Sequence, residues 1–314
     1  VTLRSAFHKV AVAGAGAVGS YFGGMLARSG TEVVLIGRDA HVAAIRAGGL
    51  FLDSVRFQEN IRVEATTELA AVADADLVLL CVKSYDTAGV AGQMAAHLGR
   101  DTLVASLQNG VENAGIVSAV TRHWTIPAVV YVAAELVGLG RVRHKARGDL
   151  VMGDLEGKRT GEVERVAALF ESAHVPCRVS QNIRGELWLK LILNAAGNGV
   201  TTLARTSYGE VSRHPFGREV MAAVVREAEA VARAAGVELP GGDLVSTTIN
   251  FAQSVGDALS STLQDILRGK RTEIGALNGY IAERGRKYGV PTPVNSTLEA
   301  LIRVLETTAL DGPR

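Results

Sequence analysis

Short apolar runs alternate with helical patterns along the first half of the chain. The apolar run HKVAVAG at 8–14 ends in a glycine, and the helical pattern AVGSYFGGMLARSG follows it at 17–30. Continuous apolar strands joined by helices are typical of a parallel sheet whose two faces are both covered. The same alternation predicts a short hairpin around Ser54, extended chain over 126–154, strands at 31–37, 74–83 and 101–110, and helices at 41–49, 86–98, 111 onward and 161–173.

After about Ser180 the pattern changes. Strand signals almost disappear, and apolar residues recur at helical spacing over 183–198, 214–236, 243–256, 273–289 and 293–306. The sequence therefore predicts two domains. The first, residues 1–180, is an α/β domain with a doubly wound parallel sheet, and the second, residues 181–314, is all helical. The last four residues, DGPR, are expected to fray.

One helical segment of the second half has polar residues along a single narrow stripe. The segment ELWLKLILNAAGN at 186–198 is apolar around most of its circumference, which is typical of a buried helix. Its polar stripe consists of Glu186, Lys190, Asn194 and Asn198, each four residues after the last, so these side chains lie on one face. Buried ammonium and amide groups need partners, which makes this stripe a candidate site.

Composition narrows the class of protein. The net charge is +1, from 33 basic and 32 acidic residues spread along the chain, which argues against nucleic-acid binding. No apolar run approaches the roughly 18 residues of a membrane span, and the N-terminus lacks the apolar region of a secretory signal. The cysteines, Cys81 and Cys177, lie in apolar surroundings and predict no disulfide framework, so a cytoplasmic location is expected. The seven histidines lack ligand spacing, so no metal site is predicted.

The glycine-rich stretch GAGAVG at 14–19 follows the first predicted strand and opens a helix. This is the setting of a dinucleotide-binding, Rossmann-type βαβ unit. Gly14 permits the turn, Gly16 lets a pyrophosphate approach the backbone, and Gly19 lets the helix pack closely on the strand. The N–H groups at the start of the helix, at Ala17 and Val18, then face the phosphates. The alternative is an ordinary tight turn in a chain that contains 35 glycines.

The residue that follows the second strand indicates the type of coenzyme. NAD-dependent enzymes usually place an acidic residue there, whereas this chain has Arg38, 19 residues after Gly19. A guanidinium matches the charge and geometry of a 2′-phosphate. The sequence therefore predicts NADP(H). The alternative is a surface arginine that pairs with Asp39.

Two further polar segments follow apolar strands, at the edge where open α/β sheets bind ligands. Lys83 follows one strand and Asn109 follows the next. Asn109 also precedes Gly110, and Asn-Gly is a common turn signal, so a purely structural interpretation stays open.

These motifs together resemble the ketopantoate reductase (2-dehydropantoate 2-reductase) family. The resemblance covers nearly the whole chain and rests on GAGAVGSYFGG, VKSYDT, LQNGVEN, NIRGELWLKLILNAAGN and SSTLQDILRGKRTEIGALNG, which occur in that order. It implies NADPH-dependent reduction of a 2-oxo acid to a 2-hydroxy acid. The first substrate to test is 2-dehydropantoate (ketopantoate), which would give pantoate for pantothenate and coenzyme A biosynthesis.

The resemblance also implies roles for individual residues. Lys190 would be the general acid and Glu273 would hold the substrate or the network around its reacting oxygen. Lys83 would lie near the cofactor, and the substrate would be oriented by Asn109, Asn194, Asn198 and Ser261. The chemistry agrees, since an ammonium group can stabilise the oxygen charge that forms as hydride arrives and can then deliver a proton. A nearby carboxylate keeps such a lysine protonated against the effect of burial.

Structural alternatives exist for each of these residues. Lys190 could pair with Glu186, and Asn194 and Asn198 could cap neighbouring helices. Ser261 with Gln264 fits a capping box, and Glu273 suits a helix start.

One position departs from the family pattern. Well-known members carry an asparagine shortly before the paired serines, and this chain has Ala258, which leaves the substrate open. The alternatives are a β-hydroxyacid-type dehydrogenase, a reductase of another 2-oxo acid, or an NADPH-binding regulator without turnover. The active site is expected between the two domains, and a homodimer is one assembly that the sequence allows.

Overall fold

The computed structural model describes residues 7–310, without the side chains of residues 309 and 310. The segments 1–6 and 311–314, including the DGPR expected to fray, lie outside the described residues. Contacts divide the chain into two compact units, Val1–Ile183 and Arg184–Arg314.

The first unit contains one ten-stranded sheet. Its strands are β1 (Lys9–Ala13), β2 (Glu32–Ile36), β3 (Leu50–Ser54), β4 (Gln58–Ile61), β5 (Glu64–Thr66), β6 (Leu77–Leu80), β7 (Leu103–Ser106), β8 (Thr125–Gly138), β9 (Arg141–Met152) and β10 (Cys177–Val179). The order across the sheet is β4-β3-β9-β8-β7-β6-β1-β2-β5, and β10 pairs with β9. The block from β8 through β7, β6, β1 and β2 to β5 is parallel throughout, as the apolar runs predict.

Within the described residues this unit has the α-helices α1 (Ala17–Arg28), α2 (Asp39–Gly48), α3 (Thr87–Ala95), α4 (Asn113–Thr121) and α5 (Thr160–Ser172), and short 3₁₀ turns at Leu69–Val72 and Ser84–Asp86. Successive residues of β1 enter different cores. Val10 and Val12 pack in the cluster that contains Phe22, whereas Ala11 packs in the cluster that contains Met94. Because side chains alternate across a strand, this division covers both faces of the sheet and explains why the strands are continuously apolar.

The sheet also contains antiparallel pairs beside its parallel block. β3 pairs antiparallel with β4, which confirms the hairpin predicted around Ser54, and β8 and β9 form a long antiparallel pair that the sequence did not specify. The first residues of β9 alternate between exposed and buried, which is the pattern of a strand with one solvated face. The extended chain expected over 126–154 is confirmed, and the short strands β5 and β10 were not predicted.

The second unit is helical. Its helices are α6 (Ile183–Ala204, which begins at the last residue of the first unit), α7 (Tyr208–Arg213), α8 (Pro215–Ala234), α9 (Leu244–Val255), α10 (Ser261–Leu267), α11 (Asn278–Tyr288) and α12 (Pro293–Leu310). Within the described residues, no helix is long and apolar enough to cross a membrane.

The single helix predicted over 273–289 is wrong in its first turn. A short 3₁₀ turn covers Ile274–Ala276, and α11 begins only at Asn278, after a non-helical Leu277. The fully buried Asn278 side chain donates to the carbonyl of Ala195 and to the side chain of Asn295, at 3.1 and 3.0 Å. Tertiary hydrogen bonding therefore fixes where this helix starts, which its periodicity could not indicate.

Candidate functional site

The glycines of the GAGAVG loop differ in what surrounds them. Gly14 has φ +110°, and a Cβ there would lie 2.7 Å from the backbone nitrogen of Val82. A Cβ on Gly19 would lie 2.9 Å from the Val12 side chain and closer still to the carbonyl oxygen of Gly14. A Cβ on Gly16 would have nothing within 4 Å. Two glycines are thus required by the protein's own packing, and the third borders open space.

That open space lies at the first turn of α1. Gly16 is the N-cap residue, no side chain caps this turn in the described part of the chain, and the turn holds no acidic residue. The first N–H groups of a helix lack intrahelical acceptors and lie at its positive end. A cradle of this kind, which begins with Ala17 and Val18, fits the pyrophosphate of a dinucleotide.

The strand order places the loop at a topological switch point. β1 lies between β2 and β6, so the chain leaves β1 on one side and returns on the other. Ligands of open α/β sheets bind at the carboxyl ends of strands at such a point. The Cys81 N–H donates to Ala13 at 2.8 Å, which keeps the end of β6 against the glycine-rich loop.

The end of β2 also meets this loop. The N–H groups of Gly14 and Ala15 donate to the Ile36 carbonyl at 3.0 and 2.8 Å. Arg38 follows two residues later, as the exposed N-cap residue of α2. Within the described residues, the Arg38 side chain forms no ion pair with Asp39, so the structure does not support the surface-pair alternative. Its position beside the loop fits an adenosine 2′-phosphate.

Hydrogen bonds tie together the two other strand ends. The Ser84 hydroxyl donates to the Asn109 carbonyl at 2.9 Å, and the Gln108 side chain donates to the Val82 carbonyl at 3.0 Å. Lys83 and Asn109 therefore lie on neighbouring segments, as their places after adjacent strands predicted. Gly110 has φ +104°, so the Asn-Gly turn also exists, and the two interpretations of Asn109 are compatible.

His41 is a further residue at the loop that the sequence did not single out. Its buried ring accepts from the Gly140 N–H at Nδ1, 3.1 Å away, so the neutral ring carries its proton on Nε2. That nitrogen lies 3.2 Å from the Ser20 hydroxyl, which donates to the Ala15 carbonyl at 3.2 Å. Burial lowers the pKa of His41. A neutral histidine thus supports the glycine-rich loop, and only tertiary contacts reveal it.

The polar stripe of α6 is only partly withdrawn from solvent. Asn194 and Asn198 are buried, while Lys190 is half-buried. The Lys190 Nζ lies 5.5 Å from the centroid of the Phe251 ring on α9. Asn198 accepts a short hydrogen bond from the Tyr208 hydroxyl, and its amide donates to the Thr262 hydroxyl at 3.2 Å.

The structure brings Ser261 to the same stripe. The Asn198 amide reaches the Ser261 hydroxyl at 3.5 Å, at the start of α10. The capping box suggested for Ser261 is wrong, because Ser260 is the N-cap residue and accepts from the Leu263 N–H at 3.2 Å. The Gln264 side chain donates to the Leu259 carbonyl instead.

Glu273 is the N-cap residue of the short 3₁₀ turn over Ile274–Ala276. It is buried and precedes the short 3₁₀ turn, but its side chain does not cap that turn. Its neighbour Thr272 donates through its N–H to the Glu306 side chain at 2.7 Å, which fixes the segment on α12. Glu273 therefore does stand at the start of a short helical turn, as the structural alternative expected, and its side chain adds no capping hydrogen bond there.

Two aromatic residues beside the stripe, Tyr208 and Phe251, were missed in the sequence. Aromatics make up only 5% of the chain, and both residues lie outside the segment 186–198 that drew attention. The low number of aromatic residues was the one feature of the sequence that could have directed attention to these two. Both cysteines are free, and among the described residues no group of three or more His, Cys, Asp or Glu could hold a metal ion.

Two models of known protein families match the chain. Residues 10–157 match the model described as "Ketopantoate reductase PanE/ApbA". Residues 182–306 match the model described as "Ketopantoate reductase PanE/ApbA C terminal". Each match covers most of one structural unit.

Curated relatives and solved structures agree with these matches. The 2-dehydropantoate 2-reductase of Archaeoglobus fulgidus is 34% identical over 300 residues, which covers 95% of this chain and 98% of the relative. A PanE/ApbA family ketopantoate reductase from Ralstonia eutropha is 47% identical with a TM-score of 0.89, covering 96% of this chain and 99% of the other. A D-mandelate dehydrogenase solved with NADH and anilino(oxo)acetate is 27% identical with a TM-score of 0.89, at the same coverage.

Proposed function

The chain belongs to the ketopantoate reductase family, and we propose on that premise that it reduces a 2-oxo acid to a 2-hydroxy acid with NADPH. The first candidate substrate is 2-dehydropantoate, because curated relatives at 34% identity carry the name 2-dehydropantoate 2-reductase. The observation that carries the proposal is the polar stripe of α6, where a half-buried ammonium lies on the same helical face as two buried carboxamides.

The coenzyme site supports NADPH. The uncrowded Gly16 and the first turn of α1 would hold the pyrophosphate, and Arg38 would hold the 2′-phosphate. Lys83 and Asn109, on the tied segments after β6 and β7, would complete this edge of the site. When bound, NADPH supplies a hydride to the carbonyl carbon of the substrate. A solved relative, a D-mandelate dehydrogenase, contains NADH, and the ratio of kcat/KM with NADPH and NADH tests the preference of this chain.

Lys190 would act as the general acid. The carbonyl group gains a hydride at carbon and a proton at oxygen, and the proton comes from the Lys190 ammonium, which recovers one from solvent. The charge that develops on the oxygen is stabilised by the same ammonium before the proton moves. General acid catalysis of this kind contributes about 10²- to 10⁴-fold to the rate.

The remaining residues would orient the substrate. Asn194, Asn198 and Ser261 offer uncharged donors and acceptors, which suit a substrate that itself carries a carboxylate. Glu273 would hold the network around the reacting oxygen. The location of the active site between the two units, the homodimer and the cytoplasmic location stay predictions, and light scattering of the purified chain would measure its assembly.

The experiment is NADPH oxidation by the purified chain in the presence of 2-oxo acids, with 3-oxo acids as the comparison. The proposal predicts turnover of at least one 2-oxo acid, with NADPH preferred to NADH. Turnover of 3-oxo acids alone would contradict the proposal and favour a β-hydroxyacid-type dehydrogenase. A complete lack of turnover despite tight NADPH binding would favour the regulator instead.

A further inference from the structure

Two aromatic rings border the polar stripe of α6. The Phe251 ring lies under the Lys190 ammonium at 5.5 Å, and the Tyr208 ring meets Phe251 edge to face, with centroids 6.2 Å apart and planes at 79°. The Tyr208 hydroxyl donates to the side chain of Asn198. Both rings are half-buried, whereas Ala252 next to Phe251 is fully buried. We call Tyr208 and Phe251 the aryl wall.

The position of Tyr208 is fixed by its surroundings. Its ring packs on Gly197 of α6, where any Cβ would collide with the ring. Its backbone N–H donates to the Ala258 carbonyl at 3.2 Å, and the Gly209 N–H donates to Gly256 at 2.7 Å. A ring held in this way loses little further freedom when it contacts a ligand.

The Lys190 ammonium adds a constraint on what can bind here. In the proposed function a 2-oxo acid places its carbonyl oxygen and carboxylate near the Lys190 ammonium and the carboxamides of the stripe. Its substituent then extends towards the residues beside the stripe, which here are the two rings of the aryl wall. Aromatic pairs gain from offset or edge-to-face contact beyond their buried area, by a factor of about 2 to 10 in affinity per pair.

We infer that the aryl wall selects 2-oxo acids whose substituent is an aromatic ring over those with a branched aliphatic substituent. The inference rests on the proposed function, since it names the substrate class of the same site. If the two rings served only to pack the helices together, replacing them would change the stability of the protein and not its preference between substrates.

The test is a ratio of kcat/KM values. Phenylglyoxylate is compared with 3-methyl-2-oxobutanoate and 2-dehydropantoate, with NADPH, in wild type and in Phe251→Leu and Tyr208→Leu. The ratio cancels any loss of folded protein. Phe216→Leu is the matched control, because Phe216 on α8 is 70% exposed. Tyr208→Phe keeps the ring and removes only the hydroxyl.

The inference predicts that wild type prefers phenylglyoxylate and that Phe251→Leu and Tyr208→Leu each lower the aryl-to-aliphatic ratio by about 2- to 10-fold. Tyr208→Phe and Phe216→Leu should leave the ratio within twofold. Calorimetric binding of mandelate and of 2-hydroxy-3-methylbutanoate gives the same comparison without turnover. Reduction of the aliphatic acids alone, or a ratio unchanged in both leucine variants, overturns the inference and leaves the proposed function intact. Failure to reduce any oxo acid overturns both.

Discussion

The contrast between Gly16 and Gly14 allows coenzyme binding to be separated from folding. Gly16 has φ −79° and ψ −163°, a conformation open to any residue, and a Cβ there meets nothing within 4 Å. Gly16→Ala loses the N-cap preference of glycine, at a cost of about 0.5–1 kcal/mol, and gains about 0.4–1 kcal/mol from a less flexible unfolded chain. The free energy of unfolding should therefore change by less than about 1 kcal/mol.

Coenzyme affinity should respond very differently. The new methyl group occupies the space in which a pyrophosphate would approach the backbone, so at least one charge-assisted hydrogen bond is lost. Such a bond contributes about 1.5–3 kcal/mol, which corresponds to a Kd for NADPH that is about 10- to 150-fold weaker.

Gly14→Ala is the control, because this substitution should lower the stability of the fold itself. Its φ of +110° and the approach of 2.7 Å to the Val82 backbone nitrogen make any side chain costly, and neither backbone can yield easily. Strain of this kind costs about 1–3 kcal/mol before the collision is counted. The free energy of unfolding should fall by about 3 kcal/mol or more.

Urea unfolding of both variants without coenzyme, and NADPH titration by nicotinamide fluorescence, measure the two effects. If Gly16→Ala bound NADPH as tightly as wild type, the open space beside Gly16 would not be the pyrophosphate site. A large loss of stability in that variant would show that the space is part of the protein's own packing.

Three further outcomes are expected. Arg38→Ala should lower kcat/KM with NADPH by about 10- to 150-fold and leave the value with NADH nearly unchanged, whereas equal wild-type values for both coenzymes would remove Arg38 from the site. Because burial lowers the pKa of His41, its contribution to stability is complete above about pH 6.5, the ordinary histidine pKa, and falls as acid protonates the unfolded chain first. As the pH falls below about 6.5, the free energy of unfolding in urea should therefore decrease more steeply in wild type than in His41→Gln. An equal decrease in the two proteins would refute the assignment of a buried neutral histidine. Glu273→Gln should lower kcat/KM for the oxo acid by about 10-fold or more at an unchanged melting temperature, and Glu299→Gln, which breaks an ion pair with Arg303, should leave kcat/KM unchanged.

The parts of the fold that follow local rules could be predicted from the sequence. The apolar runs of β1, β2, β6 and β7 and the glycines that end them correspond to a parallel block with both faces covered. The start of α11 could not be predicted, because it depends on hydrogen bonds from Asn278 to partners far along the chain. The pairing of β8 with β9 was equally inaccessible, since extended chain does not specify its partner.

Some residues of the candidate site could likewise be predicted from local patterns, and others could not. The periodicity of α6 indicated that Lys190 and Asn198 share a face, and the strand ends indicated that Lys83 and Asn109 lie on adjacent segments. The aryl wall and the His41 contact join residues 10 to 99 positions apart in sequence, so no local pattern could indicate them. Ser260 rather than Ser261 caps α10, because only the three-dimensional path shows which of two adjacent serines precedes the first helical turn.

The role of Lys190 in protonating the substrate oxygen is tested most directly by the steady-state kcat of Lys190→Ala, measured with a 2-oxo acid that wild type reduces. Lys287→Ala is a close control, because the exposed Lys287 also lies over an aromatic ring, 5.6 Å from Tyr288 against 5.5 Å for Lys190 and Phe251. We expect kcat to fall by about 10²- to 10⁴-fold in Lys190→Ala, with the Kd for NADPH unchanged and Lys287→Ala fully active. Turnover by Lys190→Ala within a factor of about three of wild type would contradict the assignment, since the loss of a general acid lowers the rate at least about 10²-fold.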